Sequence, residues 1–190
     1  MPDKNNWTDA ALTAAYLKGD EESLSLLFNR HINSALNLCR GLVGESEAED
    51  AVQETFVKVW RNIKKYDRQK KFRTWLLTIA KNTCLDMLRK KRPIVFSDFE
   101  NDDGDNTFIE SLTDKEPLPP EIAEAHLSAD KISAALSGLS AKNRMVMEMH
   151  YYDEMTLQEI ADVLNESVNT VKSRYRRALS TLKSVLQTPQ

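Results

Sequence analysis

Between Thr8 and Ile63 apolar residues recur three and four positions apart, the helical period, with breaks near Gly19-Asp20 and between Gly41 and Glu45. In SEAEDAVQETFVKVWRNI one stripe collects Ala48, Ala51, Val52, Thr55, Val59 and Ile63. A further helix is predicted from about Phe72 to Arg92, where Pro93 ends it. On it Phe72, Leu76, Leu77, Ala80, Cys84, Met87 and Leu88 share a broad arc, and Trp75, Thr78, Asn82 and Arg89 fall on the far side. The pattern fails from about Ile94 to Pro120, which is acidic, poor in apolar residues and terminated by prolines, the chemistry of a linker. Helical periodicity resumes at Glu121. With only five glycines, six prolines and little β-branched alternation, the chain reads as all-α. The expected organisation is a helical domain over 8–93, a flexible acidic linker over 94–120 and a second helical domain over 121–187.

The sharpest local signal is TLQEIADVLNESVNTVKSRYRRALSTL. Thr156 followed by Glu159 spells a capping box, predicting a helix that runs to about Leu164. Asn165 suits the left-handed conformation that ends such a helix, and Ser167 suits the cap of the next one. Two short helices joined by so tight a turn make a helix-turn-helix. On the second helix Val168, Val171, Tyr175, Leu179 and Leu182 form one stripe. Asn169, Lys172, Ser173, Arg176 and Arg177 lie opposite, with Thr170 at the margin. Donors on one face of such a helix match the edges of bases in a major groove, where Arg bonds guanine O6 and N7 together.

Charge changes the picture further. The formal net charge of −3 argues against a polyanion partner, but its distribution does not. Residues 61–92 hold twelve Lys and Arg against Asp67 and Asp86, whereas residues 94–125 hold one Lys against ten acids. Residues 167–190 carry five basic groups and no acid. Two cationic patches separated by an anionic tether point to nucleic acid gripped at two places. The tether, about 27 residues, reaches roughly 90 Å when extended. Asp50, Gln53 and Glu54 form an acid and amide patch beside Val57, with no basic residue from Gly44 to Val57. A patch that repels DNA next to a helix that attracts it points to a second, protein partner.

Several classes fall away. No apolar run approaches the ~20 residues of a membrane span and the first residues lack a signal-peptide core, so a cytoplasmic protein is expected. His31, His126 and His150 are scattered, no Gly-rich phosphate loop is present, and no nucleophile–base set stands out. Neither catalysis nor a metal or other cofactor is expected. Cys39 and Cys84 lie in apolar helical stretches without a Cys or His neighbour at ligand spacing, and read as buried structural thiols.

Taken together, these motifs resemble the bacterial RNA polymerase sigma factors of the sigma-70 family, in its small extracytoplasmic-function (ECF) group. The resemblance spans roughly residues 12–92 and 127–186. DAVQETFVKVW resembles the segment that grips the polymerase, implying core binding by Asp50, Gln53 and Glu54. FRTWLLTIAKNTCLDMLR resembles the helix that melts and reads the minus-ten element. With the loop before it, this implies DNA contacts at Tyr66, Asp67, Arg68, Lys70, Lys71, Trp75, Asn82 and Arg89. TLQEIADVLNESVNTVKSRYRRAL resembles the minus-thirty-five reader, implying contacts at Asn169, Thr170, Lys172, Ser173, Arg176 and Arg177. The implied function is transcription initiation without catalysis, with core RNA polymerase and promoter DNA, duplex and melted, as partners. An anti-sigma factor, often membrane-tethered, is implied as the restraint. The competing reading is a helix-turn-helix regulator that binds its operator without polymerase. Against that reading, a lone operator binder has no use for the Asp50/Gln53/Glu54 patch or the Asn82 face.

Overall fold

A computed structural model describes residues 4–91 and 138–187. The acidic linker and the resumption of helix at Glu121 lie outside the described residues, as does the predicted helix end at Arg92-Pro93. The chain divides into two units, residues 1–93 and 94–190. Among the described residues every regular element is helical.

In the first unit a 3-10 turn at Lys4–Asn6 leads into α1 (Asp9–Tyr16), α2 (Glu21–Val43) and α3 (Glu45–Asn62). A second 3-10 turn, Ile63–Lys65, and a short loop precede α4 (Phe72–Lys91). Thr8 caps α1 by accepting from the Ala11 N–H at 3.2 Å. The break between α2 and α3 is narrower than expected. Helix α2 runs through Gly41 and stops only at Gly44, whose φ of +86° is a conformation glycine reaches without steric cost. The expected stripe of α3 is buried as a set, from Ala48 and Ala51 through Val52, Thr55 and Val59 to Ile63 at its end. It meets Leu27, Leu38 and Ala35 of α2 and the Phe72, Leu76, Leu77 and Ala80 arc of α4, which are also buried.

The fold also joins two residues that the sequence left separate. Cys39 of α2 and Cys84 of α4 are both fully buried, and their thiols hydrogen bond. That bond and burial together raise the Cys39 thiol well above its ordinary value. Both cysteines are free thiols.

The second unit, among its described residues, contains α5 (Ala141–Tyr151), α6 (Leu157–Leu164) and α7 (Val168–Gln187). Its core is rich in methionine. Met145, Met147, Met149 and Met155 are buried with Val146, Leu157, Ile160, Val163, Val171, Tyr175 and Ala178. Thioethers adapt to the irregular space where three helices converge. Polar groups fix the register. The Tyr151 and Tyr175 hydroxyls meet at 2.6 Å, and His150 Nδ1 donates to the Met155 carbonyl at 2.7 Å.

Candidate nucleic-acid and protein interfaces

The helix-turn-helix forms through the local bonds its residues imply. Thr156 Oγ1 accepts from the Glu159 N–H at 3.1 Å, and Glu159 Oε2 accepts from the Thr156 N–H at 2.9 Å. Such a cap is worth about 1 kcal/mol. Asn165 closes α6 at φ 54°, ψ 47°, and the Glu166 N–H returns to the Ala161 carbonyl at 3.0 Å. Ser167 Oγ then accepts from the Thr170 N–H at 3.0 Å.

With α7 launched this way, Val171, Tyr175 and Leu182 turn inward and Val168 and Leu179 are half-buried. Asn169 is exposed, and Thr170, Lys172, Ser173, Arg176 and Arg177 are half-buried. The Thr170 hydroxyl is engaged within the cap, 2.8 Å from Ser167 Oγ. Arg174 leaves the cationic set altogether. It is buried and paired with Glu166 of the turn. Its spacing, three after Val171 and four before Ala178, already puts it on the inner face.

In the first unit the loop between the 3-10 turn and α4 is a compact, locally bonded turn. Asp67 Oδ1 accepts from the Gln69 N–H at 3.0 Å, and the Lys70 N–H returns to the Asp67 carbonyl at 3.0 Å. Asp67, Arg68, Lys70 and Lys71 are exposed. Tyr66, where the resemblance implies a DNA contact, is not. Its ring is 7% exposed and its hydroxyl donates to the Lys70 carbonyl, so it anchors the loop from inside. Burial pushes its phenol up to about 12, with the carboxylates of Asp9 and Asp67 adding to the effect.

Trp75, for which the sequence leaves packing and base stacking both open, is half-buried. Its ring lies 5.0 Å from that of Tyr66 and 5.6 Å from that of Phe72. A helical wheel assigns Trp75 to the outer face but carries no information about the loop that folds back over it. Thr78, on the same side, is half-buried, and its hydroxyl donates to the Thr74 carbonyl at 2.8 Å. Asn82 and Arg89 are exposed as expected.

On α3, Asp50 and Gln53 are exposed and Glu54 is half-buried, paired with Lys58 at 3.0 Å. Two large apolar side chains continue this surface, Val57 at 44% and Trp60 at 54% exposure. Trp60 was missed in the sequence reading, although it stands seven residues after Gln53 and so on the same line of the helix. Lys58 also reaches Asp86 of α4 at 3.6 Å, and Asp86 lies 3.7 Å from Arg89. An ionic chain thus connects Glu54 to Arg89.

Residues 27–94 match the family Sigma-70 region 2, and residues 129–182 match Sigma-70, region 4. The ECF RNA polymerase sigma factor SigW of Bacillus subtilis is 33% identical over 90% of this chain and 92% of its own. The RNA polymerase sigma factor NccH of Alcaligenes xylosoxydans xylosoxydans is 30% identical over 96% of each. Among solved structures, CnrH in complex with the cytosolic domain of CnrY shares the fold. It has a TM-score of 0.57 at 23% identity and covers 96% of this chain and 99% of that one. RpoE in complex with the anti-sigma factor NepR from Bartonella quintana has a TM-score of 0.56 at 24% identity, covering 86% and 96%. The chain belongs to the sigma-70 family of RNA polymerase sigma factors, in its ECF group, and is a transcription initiation factor.

Proposed function

We propose that the α3 surface of Asp50, Gln53, Glu54, Val57 and Trp60 docks on core RNA polymerase, while α4 with its preceding loop and α7 read the two promoter elements. The observation that carries this reading is the segregation within the first unit. Acid, amide and exposed apolar side chains occupy one helix, and the exposed Arg68, Lys70, Lys71, Asn82 and Arg89 occupy the loop and the next helix.

An apolar pair rimmed by polar groups fits a protein partner, since aromatic anchors contribute most at such interfaces. Cations beside an exposed amide fit a melted strand, whose phosphates attract the cations and whose bases expose hydrogen-bonding edges. Tyr66 and Trp75 serve in this scheme as support for the loop. On α7, Asn169, Lys172, Ser173, Arg176 and Arg177 would contact the minus-thirty-five element, and Thr170 would act mainly as part of the cap.

The protein performs recognition rather than catalysis. Its net negative charge keeps intrinsic DNA affinity low, because phosphate neutralisation supplies much of that affinity. Attachment to polymerase then raises the effective concentration of both readers over one promoter. Capture of an extruded base offsets an unstacking cost of a few kcal/mol. The proposed setting is the cytoplasm, where polymerase and promoter DNA meet. An anti-sigma partner competing for the α3 surface completes the proposal.

The deciding experiment is co-elution of the purified chain with core polymerase, followed by run-off transcription ranked over promoter sequences. Failure to bind core, or selective operator binding in its absence, would overturn the reading.

A further inference from the structure

The N-terminal helix contributes none of the proposed reading residues, yet it is linked to the reading loop through a polar contact to His31 and a run of aromatic rings. Asp9 of α1 uses both carboxylate oxygens on α2. Oδ1 accepts from Arg30 Nη1 at 2.7 Å, and Oδ2 lies 2.8 Å from His31 Nε2. Arg30 is itself held, its Nη2 donating to the Asn5 carbonyl at 2.9 Å. His31 is 1% exposed, and its Nδ1 is buried without a hydrogen-bond partner.

That arrangement is costly as packing. An apolar side chain of similar size would fill the site without an orphaned nitrogen, and replacing a buried polar pair in this way is often neutral or stabilising. What the imidazole supplies is direction. Asp9 fixes the ring's orientation, and the ring centroid lies 5.4 Å from that of Phe72, the first residue of α4. The Phe72 ring meets Tyr66 edge-on at 5.3 Å, and Tyr66 in turn holds the Lys70 carbonyl. Asp9, His31, Phe72, Tyr66 and Lys70 therefore form a continuous series from α1 to the loop. The hydrogen bond to Asp9 fixes the face that the imidazole turns toward Phe72.

We infer that the buried His31, held by the half-buried Asp9, is a brace for the loop at 66–71, making His31 a positioning residue for promoter opening. The inference rests on the proposed reading of that loop as a strand-capturing element. Its effect falls on the opening step, since a loop set out of place still leaves the α3 surface intact.

The test uses the full chain with core polymerase on two templates, an intact duplex promoter and the same promoter held open over the minus-ten region by mismatches. The His31→Leu variant should lose about tenfold in run-off transcription on the duplex and no more than about twofold on the opened template, as expected when a remote change displaces a working group. Core affinity should not change. His31→Gln, which keeps a donor for Asp9, should recover most of the loss, and Asp9→Asn should reproduce it should His31→Leu fold poorly. Equal losses on both templates, or no loss on the duplex, would overturn the inference. The paired Arg68→Ala, Lys70→Ala variant separates the two levels. If it leaves duplex opening unchanged, the reading of the loop fails and the brace with it. If it impairs opening while His31→Leu and Asp9→Asn do not, only the brace fails.

Discussion

Arg174 of α7 donates to Glu166 in the turn before that helix, so a part-buried ion pair ties the helix to its own turn. The Arg174 side chain is 8% exposed and that of Glu166 29%. Breaking a fully buried pair from one side costs about 3–5 kcal/mol, and partial exposure of Glu166 reduces that to roughly 2 kcal/mol. Arg174→Ala should lower stability by that amount in urea denaturation. It should also impair promoter use in proportion to unfolding rather than to lost base contacts.

Arg176→Ala should act differently. It should reduce promoter-directed transcription by the equivalent of roughly 1–3 kcal/mol, the value of a base-reading contact, without altering core binding. Gln53→Ala with Glu54→Ala should reduce core binding while promoter discrimination is retained once polymerase is saturated. Co-elution and run-off assays on the same preparations check both.

The Asp9 carboxyl gives the first unit a defined acid response. Burial alone would raise its pKa, but the hydrogen bonds and charges of His31 and Arg30 outweigh burial and hold it below the ordinary 3.8. Because the folded value is the lower one, the contribution to stability is complete above 3.8 and is lost as pH falls through the folded value. Helical content followed by circular dichroism from neutral to strongly acid pH should therefore show a steeper acid limb in the wild type than in Asp9→Asn.

Glu154, ahead of the capping box, adopts φ +52°, the left-handed region that a side chain resists. Glu154→Gly removes strain of about 1–2 kcal/mol and adds roughly 0.5–1 kcal/mol of unfolded-state entropy. The expected balance is a gain of about 0.5–1 kcal/mol, measured as a higher urea midpoint with unchanged slope.

The Cys39 and Cys84 thiols should be silent in the native state, since both are fully buried and hydrogen bonded to each other. A chromogenic thiol reagent should consume neither at neutral pH, and both after addition of denaturant.

Local chemistry was readable before any fold was known. The capping box at Thr156, the left-handed Asn165, the Ser167 cap and the α3 stripe from Ala48 to Ile63 depend on neighbours within a few residues. For these, spacing and residue type suffice. Arg174 was legible in principle from its spacing, but its charge drew it into the basic patch. The burial of Tyr66 was not legible, and the packing of Trp75 was left open, because the ring-on-ring contact between them is made by a loop folding back on its own helix.

By itself the sequence determined that the described chain is helical, how the turn before Val168 is capped, that α3 buries the stripe from Ala48 to Ile63, and how charge divides the chain, because backbone capping and helical periodicity are properties of adjacent residues. Tertiary structure alone decided that Asp9 meets His31, that Cys39 meets Cys84, and that Lys58 meets Asp86. Those contacts bring together residues far apart along the chain or on different helices, and only the packing of the helices fixes which side chains share a space.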